Sequence, residues 1–215
     1  MASRKIPFVN GEYYHVFNRG VAKMPIFHNA HDFRRFTKTM LYYQKDGIKP
    51  RFSFTTDKAL DISAFPNNVS LICYCLMPNH FHLLVKQEKE GGITEFISKL
   101  SNSYTKYYNT KRKRIGPLFQ GEFKAVHIQT TEQLLHLSRY IHLNPLIGYV
   151  TKALPLYKWS SYHEYINNNG VIKICEKSII LNQFKTIEAY KVFITDHEKY
   201  ARELEIIKHQ LLDDP

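Results

Sequence analysis

Two short apolar runs joined by a tight turn constrain this chain more than any other feature. Residues 69–77 and 80–86 are each too short to be typical helices, and Met77-Pro78-Asn79 between them is a turn signal. Two strands that follow one another through so short a turn can pair only in the antiparallel sense. We therefore expect an antiparallel pair of strands in the centre of a β-sheet.

The segments around this pair show strand and helix patterns. Aromatic and β-branched residues mark the strands, and apolar side chains at three- and four-residue steps mark the helices. The strand patterns are residues 13–19 and 123–128, and the helix patterns are residues 32–44 and 94–108. A further helix should begin after a cap at Thr130 or Thr131 and end at Pro145. This order favours an α+β fold, a mainly antiparallel sheet with packed helices on one or both faces.

The last quarter of the chain differs from the rest in charge. The 215 residues hold 30 Lys and Arg against 19 Asp and Glu, a net charge of +11; residues 170–215 contribute −1, which leaves +12 for the first 169. Three asparagines and a glycine at 167–170 break the pattern, and residues 188–212 look helical. We therefore predict a main domain over residues 1–166 and a C-terminal helical extension over residues 167–215.

The composition excludes several classes of protein. With 44% hydrophobic residues the chain can build a core, so wholesale disorder is excluded. Its densest apolar stretch has seven residues, far below the roughly 18 that a membrane helix needs, so we expect no membrane partner. Three cysteines cannot form a disulfide framework, and we expect a cytoplasmic protein. A basic chain with 15 tyrosines points towards nucleic acid.

His80-Phe81-His82 is the first candidate for chemistry. Because side chains alternate along a strand, both imidazoles should point to one face and Phe81 to the other. Two imidazoles on one face can bind a metal ion in a bidentate manner. The alternative is a polar sheet face that binds nothing, because chance pairs arise easily among eleven histidines.

Tyr140 and Asn144 are the second candidate. They are four residues apart in a predicted helix and therefore share a face, while Leu137 and Ile141 lie on another stripe that can pack on the sheet. A tyrosine hydroxyl and an amide oxygen near a metal would supply a nucleophile and a third ligand. Taken alone, Tyr140 reads as a core tyrosine and Asn144 as a C-terminal helix residue before proline.

Taken together, these motifs resemble those of a known family. The chain from about Tyr13 to Tyr165 is similar to the single-tyrosine transposases of the His-hydrophobic-His (HUH) endonuclease superfamily, in the branch of the REP-associated tyrosine transposases. The order and spacing of the motifs carry the resemblance more than any single one. The matching segments are residues 77–85, residues 139–145, residues 15–20, residues 116–121 and residues 159–162.

The resemblance implies a ferredoxin-like α+β core that cuts single-stranded DNA through a 5′-phosphotyrosine, at ends that form hairpins. It implies that His80 and His82 are metal ligands, that Tyr140 is the nucleophile and that Asn144 is the third ligand, where relatives also have glutamine. Mg²⁺ or Mn²⁺ suits two imidazoles and one amide oxygen. Some relatives form a homodimer. One departure is Glu122, where family members often have an arginine that contacts DNA phosphate.

Several basic and aromatic residues allow more than one interpretation. The run Lys111, Arg112, Lys113 and Arg114 would most simply touch DNA phosphates, although such runs are more often solvated loops. Arg19 is a candidate for phosphate or hairpin contact, and a structural ion pair is the alternative.

The nucleophile and the function also have rivals. Tyr104, Tyr107 and Tyr108 are other possible nucleophiles, ranked below Tyr140 because no amide ligand follows them at helical spacing. Two other functions stay open. One is a non-catalytic module that binds single-stranded DNA or RNA, and the other is a metal-dependent hydrolase that uses water.

Overall fold

The computed structural model describes residues 7–48, 52, 62–167 and 173–196. Within these ranges four strands form one sheet: β1 (Tyr13–Arg19), β2 (Val69–Met77), β3 (His80–Gln87) and β4 (Lys124–Ile128). The α-helices of the same residues are α1 (Ala30–Tyr43), α2 (Gly92–Lys111), α3 (Thr131–Ile147), α4 (Tyr162–Ile166), α5 (Ser178–Leu181) and α6 (Ile187–Thr195). Short 3₁₀ turns lie at Val21–Lys23, Ile62–Ala64 and Leu154–Leu156.

The predicted fold class is confirmed. The strand order is β2-β3-β1-β4, and each neighbouring pair is antiparallel. Since α1 connects β1 to β2 and α2 connects β3 to β4, each connection skips one strand, and this is the ferredoxin-like α+β arrangement. The C-terminal helical extension is present as α5 and α6.

The predicted strand pair is confirmed, but its position in the sheet is not. Strands β2 and β3 pair antiparallel with Met77 opposite His80, yet only β3 is interior, because β2 lies at the edge of the described sheet. The edge is nevertheless covered. The Leu76 amide donates to the Trp159 carbonyl at 2.9 Å, and the Tyr157 hydroxyl donates to the Leu76 carbonyl at 2.5 Å. Covering its polar groups in this way allows β2 to be buried along its whole length.

Each face of the sheet has its own hydrophobic core. Helices α1 and α2 cover one face, where Phe36, Phe81 and Tyr104 are fully buried. Helix α3 covers the part of the other face formed by β2 and β3, through residues such as Ile141. The β1–β4 part of that face is more open, and Val126 there is 49% exposed.

Helix boundaries follow their capping residues. The Asn29 side chain accepts hydrogen bonds from the amides of His31 and Asp32, which starts α1 two residues earlier than predicted. Of the two predicted caps for α3, the structure selects Thr130, whose hydroxyl accepts from the Gln133 amide at 3.1 Å.

The predicted end of α3 at Pro145 is wrong. Proline removes one backbone donor, but the helix continues to Ile147 because Leu146 and Ile147 bury their side chains in the second core. The helix ends where the Gly148 amide donates to the Asn144 carbonyl at 2.9 Å.

The C-terminal helices pack on α3. Tyr190 and Ile194 of α6 are fully buried in the second core, and Thr186 caps this helix by accepting from the Ala189 amide. The helix predicted over residues 188–212 is observed over Ile187–Thr195, and residues 197–212 lie outside the described part of the chain. The division at residue 166 stays a prediction. No helix among the described residues has both the length and the apolar content that crossing a bilayer requires.

Candidate active site

The two histidines of β3 lie side by side on the face covered by α3. The ring centroids of His80 and His82 are 4.9 Å apart, with the ring planes almost perpendicular. Phe81 points to the opposite face, where it packs among the aromatic residues beneath α1 and α2. This is the geometry that the alternation of side chains along a strand predicts.

Hydrogen bonds orient both imidazoles through their δ nitrogens. His80 Nδ1 lies 2.6 Å from Asn79 Oδ1, and an amide oxygen can only accept, so this nitrogen carries the ring proton. His82 Nδ1 lies 2.9 Å from His15 Nε2. A histidine that is protonated at Nδ1 presents the Nε2 lone pair, which is the nitrogen a metal would use.

His15 is the residue that sequence reasoning missed. It lies on β1, and its ring stacks on that of His82 with a centroid distance of 5.1 Å. The alternation of side chains in β1 groups His15, Phe17 and Arg19 on one face, but only the strand register shows which face this is. In that register Phe17 is opposite His82 and Arg19 is opposite His80.

Burial keeps two of these imidazoles neutral. It lowers the pKa of His15 to about 4. Burial, followed by the nearby rings of His80 and His15, holds the pKa of His82 well below its ordinary value. Neutral rings are the form that binds a metal ion, so both are in the coordinating form at neutral pH.

Tyr140 lies beside the histidines. Its ring meets that of His82 edge-on at a centroid distance of 5.4 Å and that of His15 at 6.3 Å. It is 39% exposed, so a nucleic acid strand can reach it from solvent. Asn144 lies one helical turn after Tyr140 and is mostly buried. It is placed near the histidines only by sharing the helix face of Tyr140. The structure thus brings His80, His82 and Tyr140 together, with Asn144 adjacent in α3.

The rival tyrosines are on α2, which packs on the other face of the sheet. The Tyr104 hydroxyl donates to the Ile26 carbonyl at 2.7 Å, and the Tyr107 hydroxyl donates to Asp32 at 2.7 Å. The Tyr108 hydroxyl donates to the Pro25 carbonyl at 3.2 Å. These hydroxyls are used within the fold, and the sheet separates them from His80 and His82.

Arg19 lies at the end of β1 on the histidine face. Its exposed side chain donates through Nε to Gln120 Oε1 at 2.6 Å. The partner is thus a neutral amide and not the carboxylate of an ion pair. The positive charge remains available to an incoming phosphate.

The basic run is not a uniform phosphate-binding patch. Lys111 and Arg112 both contact the fully buried carboxylate of Asp32, at 2.7 and 2.8 Å. Arg114 donates to the Pro117 carbonyl at 2.8 Å and so shapes the loop, whereas Lys113 is exposed. Two of the four predicted DNA contacts therefore already neutralise a buried charge. Glu122, which replaces the arginine that the family resemblance would predict, is exposed in the segment just before β4.

Comparison with known proteins finds a match to one family model and a solved structure with a similar fold. The family model for IS200-like transposases matches residues 42–144, a range that includes His80, His82, Tyr140 and Asn144. A REP-associated tyrosine transposase bound to a REP hairpin has a similar structure, with a TM-score of 0.54 and 12% identity over 82% of this chain and 98% of that chain. This likeness supports the fold.

A second solved structure is less similar. It is a candidate transposase from Deinococcus radiodurans R1, with a TM-score of 0.38 and 11% identity over 65% of this chain and 95% of that chain. No curated protein matches the chain.

Proposed function

We propose that this chain is an IS200-like transposase that cuts and rejoins single-stranded DNA through a covalent intermediate on Tyr140; the family model that matches residues 42–144 supports this. The observation that carries the proposal is the contact between the Tyr140 ring and His82, on the same sheet face as His80. A nucleophile beside a pair of oriented, coordinating imidazoles is the arrangement that metal-assisted phosphoryl transfer requires.

The residues present fit a divalent cation. His80 and His82 would offer Nε2 lone pairs and Asn144 an amide oxygen, a donor set that suits Mn²⁺ or Mg²⁺. Asn144 would offer the third ligand from α3, one helical turn after Tyr140. A bound divalent cation would polarise the scissile phosphate and offset the charge that builds up on it.

The chain's own part in the reaction is nucleophilic. The phenolic oxygen of Tyr140 loses its proton and bonds to phosphorus while the bond to the 3′ oxygen breaks, and that oxygen takes up a proton. The products are a 5′-phosphotyrosine and a free 3′-hydroxyl. Because the phosphoester bond is conserved on the protein, a 3′-hydroxyl can attack it and restore the DNA strand.

Hairpin-containing single strands are the proposed substrate. The transposase of similar fold was solved with a REP hairpin, and this supports the same class of ligand here. The net charge of +12 on residues 1–169 favours a polyanion, and Arg19 would contact a phosphate beside His80. A homodimer stays a prediction.

The test is incubation of the protein with an end-labelled single-stranded hairpin and Mn²⁺, followed by a denaturing gel. We expect a labelled band that migrates with the protein and disappears with chelator. Cleavage without this band would instead indicate a hydrolase that uses water. Binding without cleavage would indicate a binding module, for which the open β1–β4 surface is the available platform.

A further inference from the structure

The contact between His15 and His82 joins two imidazoles of neighbouring strands. His15 Nε2 and His82 Nδ1 are 2.9 Å apart, and the rings are nearly parallel. In the β1–β3 register His15 is opposite Leu84, so its ring reaches diagonally to the histidine two positions along β3. The position of His15 is fixed by packing against Phe17, at a centroid distance of 4.8 Å.

The chemistry of this contact allows two arrangements, and only one suits a metal ligand. Between two neutral imidazoles one nitrogen must donate a proton and the other must accept it. If His82 Nδ1 donates to His15 Nε2, the Nε2 lone pair of His82 is available for coordination. If His15 donates instead, the proton of His82 is on Nε2, and that nitrogen cannot coordinate.

We propose that His15 is a positioning residue that accepts a hydrogen bond from His82 Nδ1 and so holds His82 in the tautomer that presents Nε2 to the divalent cation. This inference rests on the proposed function, since it assumes that His82 binds a metal. Asn79 has the same role towards His80, with its amide oxygen 2.6 Å from Nδ1. Both histidines of β3 are thus oriented by a hydrogen bond at Nδ1, the nitrogen that does not coordinate, as histidine ligands of metal ions usually are.

A role for His15 as a third imidazole ligand is the main rival. The geometry of the contact argues against it, because the His15 nitrogen that approaches His82 faces Nδ1 and not the coordinating Nε2. A ligand of the same ion would be expected to converge with Nε2.

The first measurement is Mn²⁺ affinity, read from the EPR signal of free Mn²⁺. His15→Leu removes the acceptor, whereas His15→Gln keeps an oxygen close to the position of Nε2. We expect His15→Leu to bind Mn²⁺ about 10- to 100-fold more weakly than the wild type, the usual cost of losing such a support. His15→Gln should recover most of the affinity, and His127→Leu, on the other face of the sheet, should leave it unchanged.

Affinity in His15→Leu equal to that of the wild type would overturn the role of His15 while leaving the proposed function intact. Mn²⁺ affinities that are reduced equally in His15→Leu and His15→Gln would also overturn it. A wild-type protein that binds no Mn²⁺ would overturn the metal site, and the inference with it. If His15→Leu does not fold, as judged by circular dichroism, His15→Phe takes its place beside Phe17.

The second measurement is pulsed EPR of bound Mn²⁺, which counts coordinated imidazoles through their nitrogen couplings. At saturating Mn²⁺ we expect two coordinated imidazoles in the wild type and still two in His15→Leu, since a positioning residue is not a ligand. If the wild type has three coordinated imidazoles and His15→Leu has two, His15 is a ligand and the proposal is overturned.

Discussion

At the scale of single residues, His80 and His82 can be tested separately from the fold. Replacing either by alanine removes one coordinating nitrogen, and we expect cleavage of a hairpin substrate to fall by about 100-fold or more, the scale on which charge stabilisation acts in catalysis. DNA affinity should change little, because phosphate contacts elsewhere supply it. Gel-based cleavage and binding assays measure the two effects.

The matched control is His127→Ala. His127 is also a strand histidine, but it stacks on Tyr14 on the opposite face of the sheet. We expect this variant to cleave like the wild type. Full activity in the His80→Ala/His82→Ala double variant would rule out a metal site on β3.

What the sequence could predict at this scale depended on periodicity within one element. The shared face of His80 and His82 follows from the period of two in a strand, and that of Tyr140 and Asn144 follows from the period of a helix. His15 could not be placed, because its contact depends on the register between β1 and β3, which no local pattern encodes.

At the scale of elements, Asp32 joins the start of α1 to the end of α2. Its buried carboxylate contacts Lys111 and Arg112 and accepts from the Tyr107 hydroxyl. We expect Asp32→Asn to lower the free energy of unfolding by about 2 kcal/mol. This is below the roughly 3–5 kcal/mol of a fully buried pair, because both cations are partly exposed to water. Denaturant titration measures it, with Asp46→Asn as the control; its ion pair with Lys89 is partly exposed, so this change should cost at most about 1 kcal/mol.

The same carboxylate predicts a dependence of stability on pH. Burial raises the pKa of Asp32, but the hydrogen bonds from Lys111, Tyr107, the His28 amide and Arg112 outweigh burial, and the pKa is well below its ordinary value. A lowered pKa stabilises the fold above the unfolded-state pKa of about 4 and less so as the pH falls further. The stability difference between wild type and Asp32→Asn should therefore be constant from neutral pH down to about 5 and narrow below 4. A difference that grows in acid would contradict this.

The basic residues 111–114, at the C-terminal end of α2, should have two different roles. Lys113 is exposed and does not contact Asp32. Lys113→Gln should therefore make the slope of log K against log salt concentration shallower by about 0.7, the value for one lost phosphate contact on a single strand. Its melting temperature should not change. Arg112→Gln should instead lower the melting temperature. An unchanged salt slope in Lys113→Gln would make the run a solvated loop. The sequence alone could not reveal this division, because Asp32 is 79 residues away from Lys111.

At the scale of the whole molecule, the C-terminal segment supports the helix that carries Tyr140. Tyr190 places its hydroxyl 2.6 Å from Nδ1 of the buried His142, and the Arg139 guanidinium lies 3.6 Å from the centre of the Phe193 ring. His142 and Arg139 are both on α3, within two residues of Tyr140. We propose that residues 1–166 contain the catalytic groups and that residues 167–215 are an extension that stabilises α3.

Truncation tests this division. A chain that ends at residue 166 loses the buried side chains of Tyr190 and Ile194, and His142 Nδ1 loses its contact with the Tyr190 hydroxyl. We expect it to be destabilised by about 5 kcal/mol or more, since each such side chain is worth several kcal/mol. A chain that ends at residue 196 keeps every contact described here and serves as the control. A 1–166 chain as stable as the control would show that the extension does not support α3.

Peptide mapping of the trapped adduct tests whether Tyr140 forms the bond to DNA. The covalent complex formed with labelled hairpin DNA and Mn²⁺ is digested, and the labelled peptide is sequenced. We expect a labelled peptide that contains Tyr140, no adduct in Tyr140→Phe despite normal DNA binding, and an undiminished adduct in Tyr108→Phe. A label on Tyr104, Tyr107 or Tyr108, or an adduct that persists in Tyr140→Phe, would contradict it.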